Sequence, residues 1–246
     1  MVRHVDVMNV REEEIGKLID HFSKQTNGFE NPRIVTIGGY ALRAFTTFSR
    51  YTRDCDFVLK KSKGWNLDRI QTLLPKDLSI ETFEKRDNYG FLRCVKPLQI
   101  DSRSAKISID FLEGEVRGRT DEQVFYITQE FMQKTKKVKI PIAEKEVEIF
   151  VPDYTDYLLL KMMSARPSDI RDIATLVWRN GIPDDTEERA KNALAHPEII
   201  RKNLKLIITD ISDKRFLDSW KGTFVTTEFT EKTKEQVLRE LGKLLD

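Results

Sequence analysis

The chain has 246 residues, 39% of them hydrophobic and 33% charged, with 42 Lys and Arg against 40 Asp and Glu. That length suits one large domain or two modest ones, and it buries a core without disulfide or metal staples. A net charge of +2 excludes a polybasic packaging protein or membrane-surface binder as the default, and the apolar content excludes a disordered chain.

The N-terminus, MVRHVDVMNVREEE, meets acidic residues before an apolar core of a leader could form. Residues 11–25 then place Ile15, Leu18, Ile19 and Phe22 on one helical face, closed by Asn27-Gly28. After Asn31-Pro32, residues 33–37 read as a short buried strand stopped by Gly38-Gly39, and residues 40–48 as a helix. Residues 55–59 read as a strand and residues 65–74 as a helix ended by Pro75. Strands over 78–86 and 91–98 flank a hairpin turn at Asp87-Asn88-Tyr89-Gly90. Residues 105–112 form a further strand, and 136–140 pairs with 147–151. Cys55 and Cys94 lie inside apolar runs and read as small buried hydrophobes in reduced, cytoplasmic surroundings.

After Pro152 the pattern is helical to the end. Residues 153–165 form one helix; Pro167-Ser168 breaks it and caps the next, which Asn180-Gly181 stops. The C-terminal run TKEQVLRELGKLLD spaces Val237, Leu238, Leu241, Leu244 and Leu245 as an amphipathic helix, for the core or for contact with another chain. No apolar run approaches the ~18 residues of a membrane helix. The expected fold is α+β, a mixed sheet with flanking helices over residues 1–151 followed by an all-helical domain over 152–246.

Three segments carry candidate chemistry: IVTIGGYALRAF (34–45), RYTRDCDFVL (50–59) and KISIDFLEG (106–114). In the first, glycines between strand and helix let the backbone approach an anion such as phosphate, or simply make a tight turn. In the second, the strand period of two puts Asp54 and Asp56 on one face and Cys55 and Phe57 on the other. Two adjacent carboxylates call for a cation, unless they sit at a solvated strand end. In the third, Ser108 and Asp110 oppose Ile107, Ile109 and Phe111; a carboxylate in so apolar a strand either serves a site or pairs with an arginine. Three carboxylates converging beside a phosphate-binding turn are what two-metal phosphoryl or nucleotidyl transfer requires.

The ordered set Gly38-Gly39-Tyr40-Ala41-Leu42, Arg50-x-Thr52-x-Asp54-x-Asp56-Phe57 and Asp110 resembles the polymerase-β-like nucleotidyltransferase superfamily. The likeness is strongest to its minimal and AbiEii-type toxin members, and LLLKMMSARPSDIRDIATL (158–176) is similar to their Lys-bearing helix–loop–helix. The resemblance spans about residues 33–180. It implies that Gly38 and Gly39 cradle the phosphates of an NTP. Tyr40, which stands where many relatives carry Ser or Thr, joins them in the nucleotide site with Arg50, Thr52 and Lys161. It further implies that Asp54 and Asp56 bind two Mg²⁺ ions, with Mn²⁺ as an alternative, and that Asp110 binds the catalytic metal and serves or aligns the general base.

Lys161 shares a helix face with Tyr154, Tyr157, Leu158 and Ala165, where a lysine either snorkels to solvent or turns inward toward a triphosphate. Asp169 suits the first turn of the next helix, and Asp172 can orient Lys161. His4, His21 and His196 have no metal-ligand spacing, and the basic run KTKKVK reads as protection of an edge strand. The leading expectation is an Mg²⁺-dependent enzyme moving an NMP to a hydroxyl of RNA (tRNA among the candidates), protein or a small molecule. The alternative is a nucleotide-binding module without turnover, or a toxin–antitoxin component whose partner or second copy meets the C-terminal helices.

Overall fold

The computed structural model describes residues 4–48 and 50–245, with side chains from residue 7 onward, so the His4 side chain lies outside the described residues. Two compact units emerge. The first takes residues up to 44, 51–116 and 127–152; the second takes 45–50, 117–126 and 153 onward.

The first unit opens with α1 (His4–Gln25), longer than its apolar face alone predicts. Then come β1 (Val35–Ile37), a single turn α2 (Gly38–Ala41) running into a 3₁₀ turn (Leu42–Ala44), β2 (Asp54–Leu59) and α3 (Asn66–Thr72). The hairpin β3 (Ser79–Arg86) and β4 (Tyr89–Ile100) leads to β5 (Arg103–Glu113). The chain then passes through the short strands β6 (Glu115–Arg117) and β7 (Val124–Tyr126), of which residues 117–126 belong to the second unit, and returns to the first with α4 (Gln129–Lys134), β8 (Lys136–Ile142) and β9 (Lys145–Val151). The second unit's helices are α5 (Tyr154–Ser164), α6 (Pro167–Asn180), α7 (Thr186–Ala193), α8 (Glu198–Ser212), α9 (Phe216–Phe224) and α10 (Glu231–Gly242).

Seven strands make one mixed sheet in the order β3-β4-β5-β2-β1-β9-β8. β2 runs parallel to β5, and β1 parallel to β9, while the remaining neighbours are antiparallel. The alternation read in the sequence decides which face is dry. Cys55 and Phe57, Ile109 and Phe111, Leu92 and Cys94 share registered rows of one face and are all fully buried. α1 covers that face with Ile15, Ile19 and Phe22, and the Phe22 ring meets Phe111 edge-on at 5.0 Å. Each such ring contributes about 2–3 kcal/mol by leaving water. β8 is the sheet's edge, and its alternating lysines face outward as the KTKKVK pattern predicts.

In the second unit, α5, α6 and α8 pack on one another, and α10 lies on α6 and α8 with Val237 and Leu241 fully buried. Trp220 of α9 is fully buried and donates its indole N–H to Thr175 Oγ1 at 2.9 Å. Phe48 stacks on Trp178 at 5.3 Å and meets Trp220 edge-on, so residues 45–50 supply part of the core of the helical unit.

Two expectations need correction. The helix read over 40–48 stops at Ala44. Beyond it Thr46 donates its hydroxyl to the Phe48 carbonyl at 2.8 Å, a local bond that competes with helix, and Phe45 and Phe48 turn to the aromatic rings of the second unit. Ser168 does not cap α6; Pro167 is its first residue, and the Asp169 carboxylate instead accepts from the Arg166 backbone N–H at 3.4 Å. The short elements β6, β7 and α4 carry too few residues for a periodic signal, although Thr128 caps α4 by accepting from Phe131 N at 3.1 Å.

Burial pushes the Cys94 thiol up to about 12 and holds the Cys55 thiol well above its ordinary range. Neither thiol should react with a disulfide reagent in the folded protein at about pH 8, and both should react after denaturation. Fast modification of either under native conditions would contradict this packing.

Candidate active site

On the face of the sheet opposite α1, the strand register assembles the expected acids. Asp56 of β2 stands directly beside Asp110 of β5, and Asp54 beside Ser108, whose hydroxyl donates to Asp54 Oδ1 at 2.6 Å. Asp110 is only 5% exposed. One strand further out, Arg93 of β4 pairs in register with Asp110 and donates Nε to Oδ1 at 2.9 Å and Nη2 to Oδ2 at 2.6 Å. The arginine partner foreseen as one of two fates for Asp110 is therefore Arg93. Its signal in the sequence was parity, since Phe91, Arg93 and Val95 alternate with the buried Leu92 and Cys94, but only the register reveals which arginine faces which acid.

The Gly-Gly turn borders the same row. Ile37 of β1 is the cross-strand partner of Asp56, and Gly38 follows it with φ +68°. A Cβ at Gly38 would fall 2.0 Å from Asp56 Oδ2, so the carboxylate lies directly against the glycine backbone. A Cβ at Gly39 would come within 3.1–3.3 Å of the Thr52 side chain. Thr52 in turn donates its hydroxyl to the Asp54 carbonyl at 3.1 Å. The structure thus gathers Gly38, Gly39, Thr52, Asp54, Asp56 and Asp110. Tyr40 is different: it is 1% exposed, and its hydroxyl has no partner among the described residues. Among those residues, no three His, Cys, Asp or Glu side chains stand close enough to enclose a metal ion.

Arg50 and Lys161 belong to a constellation within the second unit. The Arg50 guanidinium forks onto Asp172 with bonds of 2.7 and 2.8 Å. The Lys161 ammonium donates to Asp169 at 2.9 Å and to Asp172 at 2.8 Å. The Lys161 side chain is 5% exposed and both carboxylates are fully buried, so this lysine does not snorkel to solvent. Arg166 closes the outer side by donating Nε to Asp169 at 2.7 Å. Burial opposes the charge on Arg50, Lys161 and Asp169, and the pairing prevails. Asp172, then Tyr157 and Asp169, hold the Lys161 ammonium above its ordinary range, while Lys161 and Arg166 hold the Asp169 carboxyl below its own.

The model of a family described as nucleotidyltransferase of unknown function (DUF6036) matches residues 13–182, and the chain belongs to that family. Two solved structures from Helicobacter pylori are similar to it over nearly its whole length. JHP933 shares 13% identity and a TM-score of 0.44, with 96% of this chain and 90% of that one covered. A second chain, provisionally described as a nucleotidyltransferase, gives 13% and 0.44 with 96% and 92% covered. No curated protein matches.

Two outcomes test these constellations. Gly38→Ala should destabilise the protein by about 2 kcal/mol or more, from its positive φ and the Asp56 collision, and Gly39→Ala by about 1 kcal/mol or less, read by urea denaturation. Equal costs would show that the Asp56 contact does not constrain the turn.

The ion cluster sets a pH window. Asp169, depressed below its ordinary 3.8, stabilises the fold above that pH and loses this contribution as pH falls further. Lys161, raised above its ordinary 10.5, contributes fully below that pH and less as pH rises beyond it. Between about pH 4 and pH 10 the cluster should leave the melting temperature level, and Asp169→Asn should flatten the acid limb. An unchanged acid limb would place the titrating carboxyl elsewhere.

Proposed function

We propose that this chain is a divalent-metal-dependent nucleotidyltransferase, moving an NMP from an NTP to a hydroxyl acceptor with release of pyrophosphate. The observation that carries the reading is the registered pair Asp56 and Asp110 beside Asp54 and the Gly38 turn. The side chains of Asp54, Asp56 and Asp110 stand too far apart here to enclose an ion, but all three are the hard oxygen donors that Mg²⁺ or Mn²⁺ takes and Asp56 lies in register with Asp110, so the donor chemistry fits. Asp54, Asp56 and Asp110 would hold the ions. When bound, they would neutralise the phosphates and lower the pKa of the acceptor hydroxyl.

The residues of the chain supply position and proton handling. Gly38 and Gly39 leave the backbone open to close approach by phosphate, with the Thr52 hydroxyl at their side. Asp110, nearest the outer strands, aligns the acceptor hydroxyl and receives or relays its proton as oxygen bonds to the α-phosphorus and the α–β bridging bond breaks. Arg50 and Lys161 are held by Asp172 and Asp169. Their part in nucleotide binding is to fix the segment that leads into Thr52. Arg50-x-Thr52-x-Asp54-x-Asp56 and the Lys161–Asp172 pair support a place near the minimal and AbiEii-type enzymes.

The double variant Asp54→Asn, Asp56→Asn keeps shape and removes two charges. It should abolish the Mg²⁺-dependent rise in melting temperature and NMP transfer, with metal-free stability level or higher. If the native chain neither binds Mg²⁺ with any NTP nor labels RNA, protein or small-molecule hydroxyls, the proposal fails.

A further inference from the structure

The Asp110 carboxylate is already engaged: both its oxygens accept from the Arg93 fork. The Arg93 side chain remains 39% exposed, against 7% for its partner, so the guanidinium is the member that can leave. It lies 5.5 Å from the centre of the Phe91 ring, and Phe91 lies nearly parallel to Tyr89, their centres 6.4 Å apart with 14° between the planes. All three side chains project from one face of β4, and both rings are partly exposed.

Position in the sheet gives this group a direction. The Gly38 turn follows β1 on one side of the acids, and Arg93 stands on the other side, on β4. In nucleotidyl transfer the attacking oxygen and the departing pyrophosphate lie on opposite sides of the α-phosphorus. With the triphosphate over Gly38 and Gly39, the acceptor arrives from the β4 side. A guanidinium fork fits a phosphodiester as well as a carboxylate, and a partly exposed aromatic pair beside it suits a nucleobase.

We propose that Arg93 is a shared cation. In the metal-free protein it neutralises Asp110; as Asp110 exchanges it for a divalent ion, Arg93 turns to a backbone phosphate of a single-stranded nucleic-acid acceptor, whose terminal base stacks on Phe91 and Tyr89. This rests on the metal-dependent reading above and names its acceptor class and the order in which the site fills.

The test uses the full chain, Mn²⁺ titrated by calorimetry, and a short fluorescent single-stranded RNA followed by anisotropy. Arg93→Gln should tighten Mn²⁺ binding roughly fivefold, the worth of one half-exposed ion pair. Arg86→Gln, at the turn end of the same hairpin, should leave it unchanged. Mn²⁺ should raise the affinity of the native chain for RNA, and Arg93→Gln should erase that response. Phe91→Leu should weaken RNA binding while Phe91→Trp restores it, with melting curves reporting that each variant is folded. Mn²⁺ affinity indifferent to Arg93, or RNA affinity indifferent to Mn²⁺ or to the Phe91 ring, overturns the proposal while leaving the transferase reading intact. Weakened Mg²⁺-ATP binding with unchanged RNA binding in Phe91→Leu overturns it as well, assigning the ring to the NTP base. Absence of Mn²⁺ binding in both the native chain and Arg93→Gln overturns both readings, whereas binding that appears only in Arg93→Gln supports the exchange.

Discussion

The carboxylate of Asp172 is the contact on which the helical unit is organised. It is fully buried, yet it receives a forked guanidinium from Arg50 and an ammonium from Lys161. A lone charge there would be too costly to keep ionised, and two cations on one acid would repel, so Asp169 is required as the second anion, with Arg166 at its rim. Such an arrangement is sensitive to the removal of any member, because what remains is a buried charge without its counterpart. It also fixes geometry: α5 and α6 meet with Lys161 between Asp169 and Asp172, and Arg50 draws in a chain segment more than a hundred residues earlier.

That segment ties local sequence to the candidate chemistry. Phe45 stacks on Tyr157 at 4.9 Å, Asn180 donates to the Phe45 carbonyl at 3.1 Å, and Phe48 enters the Trp178–Trp220 cluster. Two residues after Arg50 comes Thr52, and two after that the first acid, Asp54. The strand that carries the first two carboxylates is thus preceded in sequence by Phe45, Phe48 and Arg50, each of which is held within the helical unit.

Much of this was legible in the sequence because it rests on short-range periodicity. Alternation placed Asp54 and Asp56 together and set Asp110 opposite Ile109 and Phe111; the Gly38-Gly39 turn and the break at Pro152 announced themselves by residue type. What stayed hidden depends on register and on contacts distant in sequence. Nothing local shows that Asp56 faces Asp110, that Arg93 rather than another arginine reaches that acid, or that Arg50 and Lys161 share one carboxylate. The apolar stripe around Lys161 left both directions open; Asp172 was read as able to orient it, but that Asp169 also holds it was not foreseen. Residues 45–48 misled, as their partners belong to helices still to come.

Because residues 45–50 belong with the helices while their neighbours on both sides belong with the sheet, no single cut of the polypeptide separates the two units. A fragment ending at Pro152 would carry Phe45, Phe48 and Arg50 stripped of Tyr157, Trp178 and Asp172. The complementary fragment would begin with a helical core lacking two of its rings and one of its cations. During synthesis the same holds in time: β1, in the interior of the sheet, waits for β9 to pair Val35 with Phe150, and Phe48 waits longer still for Trp220. The nascent chain therefore has no early stopping point at which one half is finished, and assembly of both units is deferred until most of the polypeptide has been made.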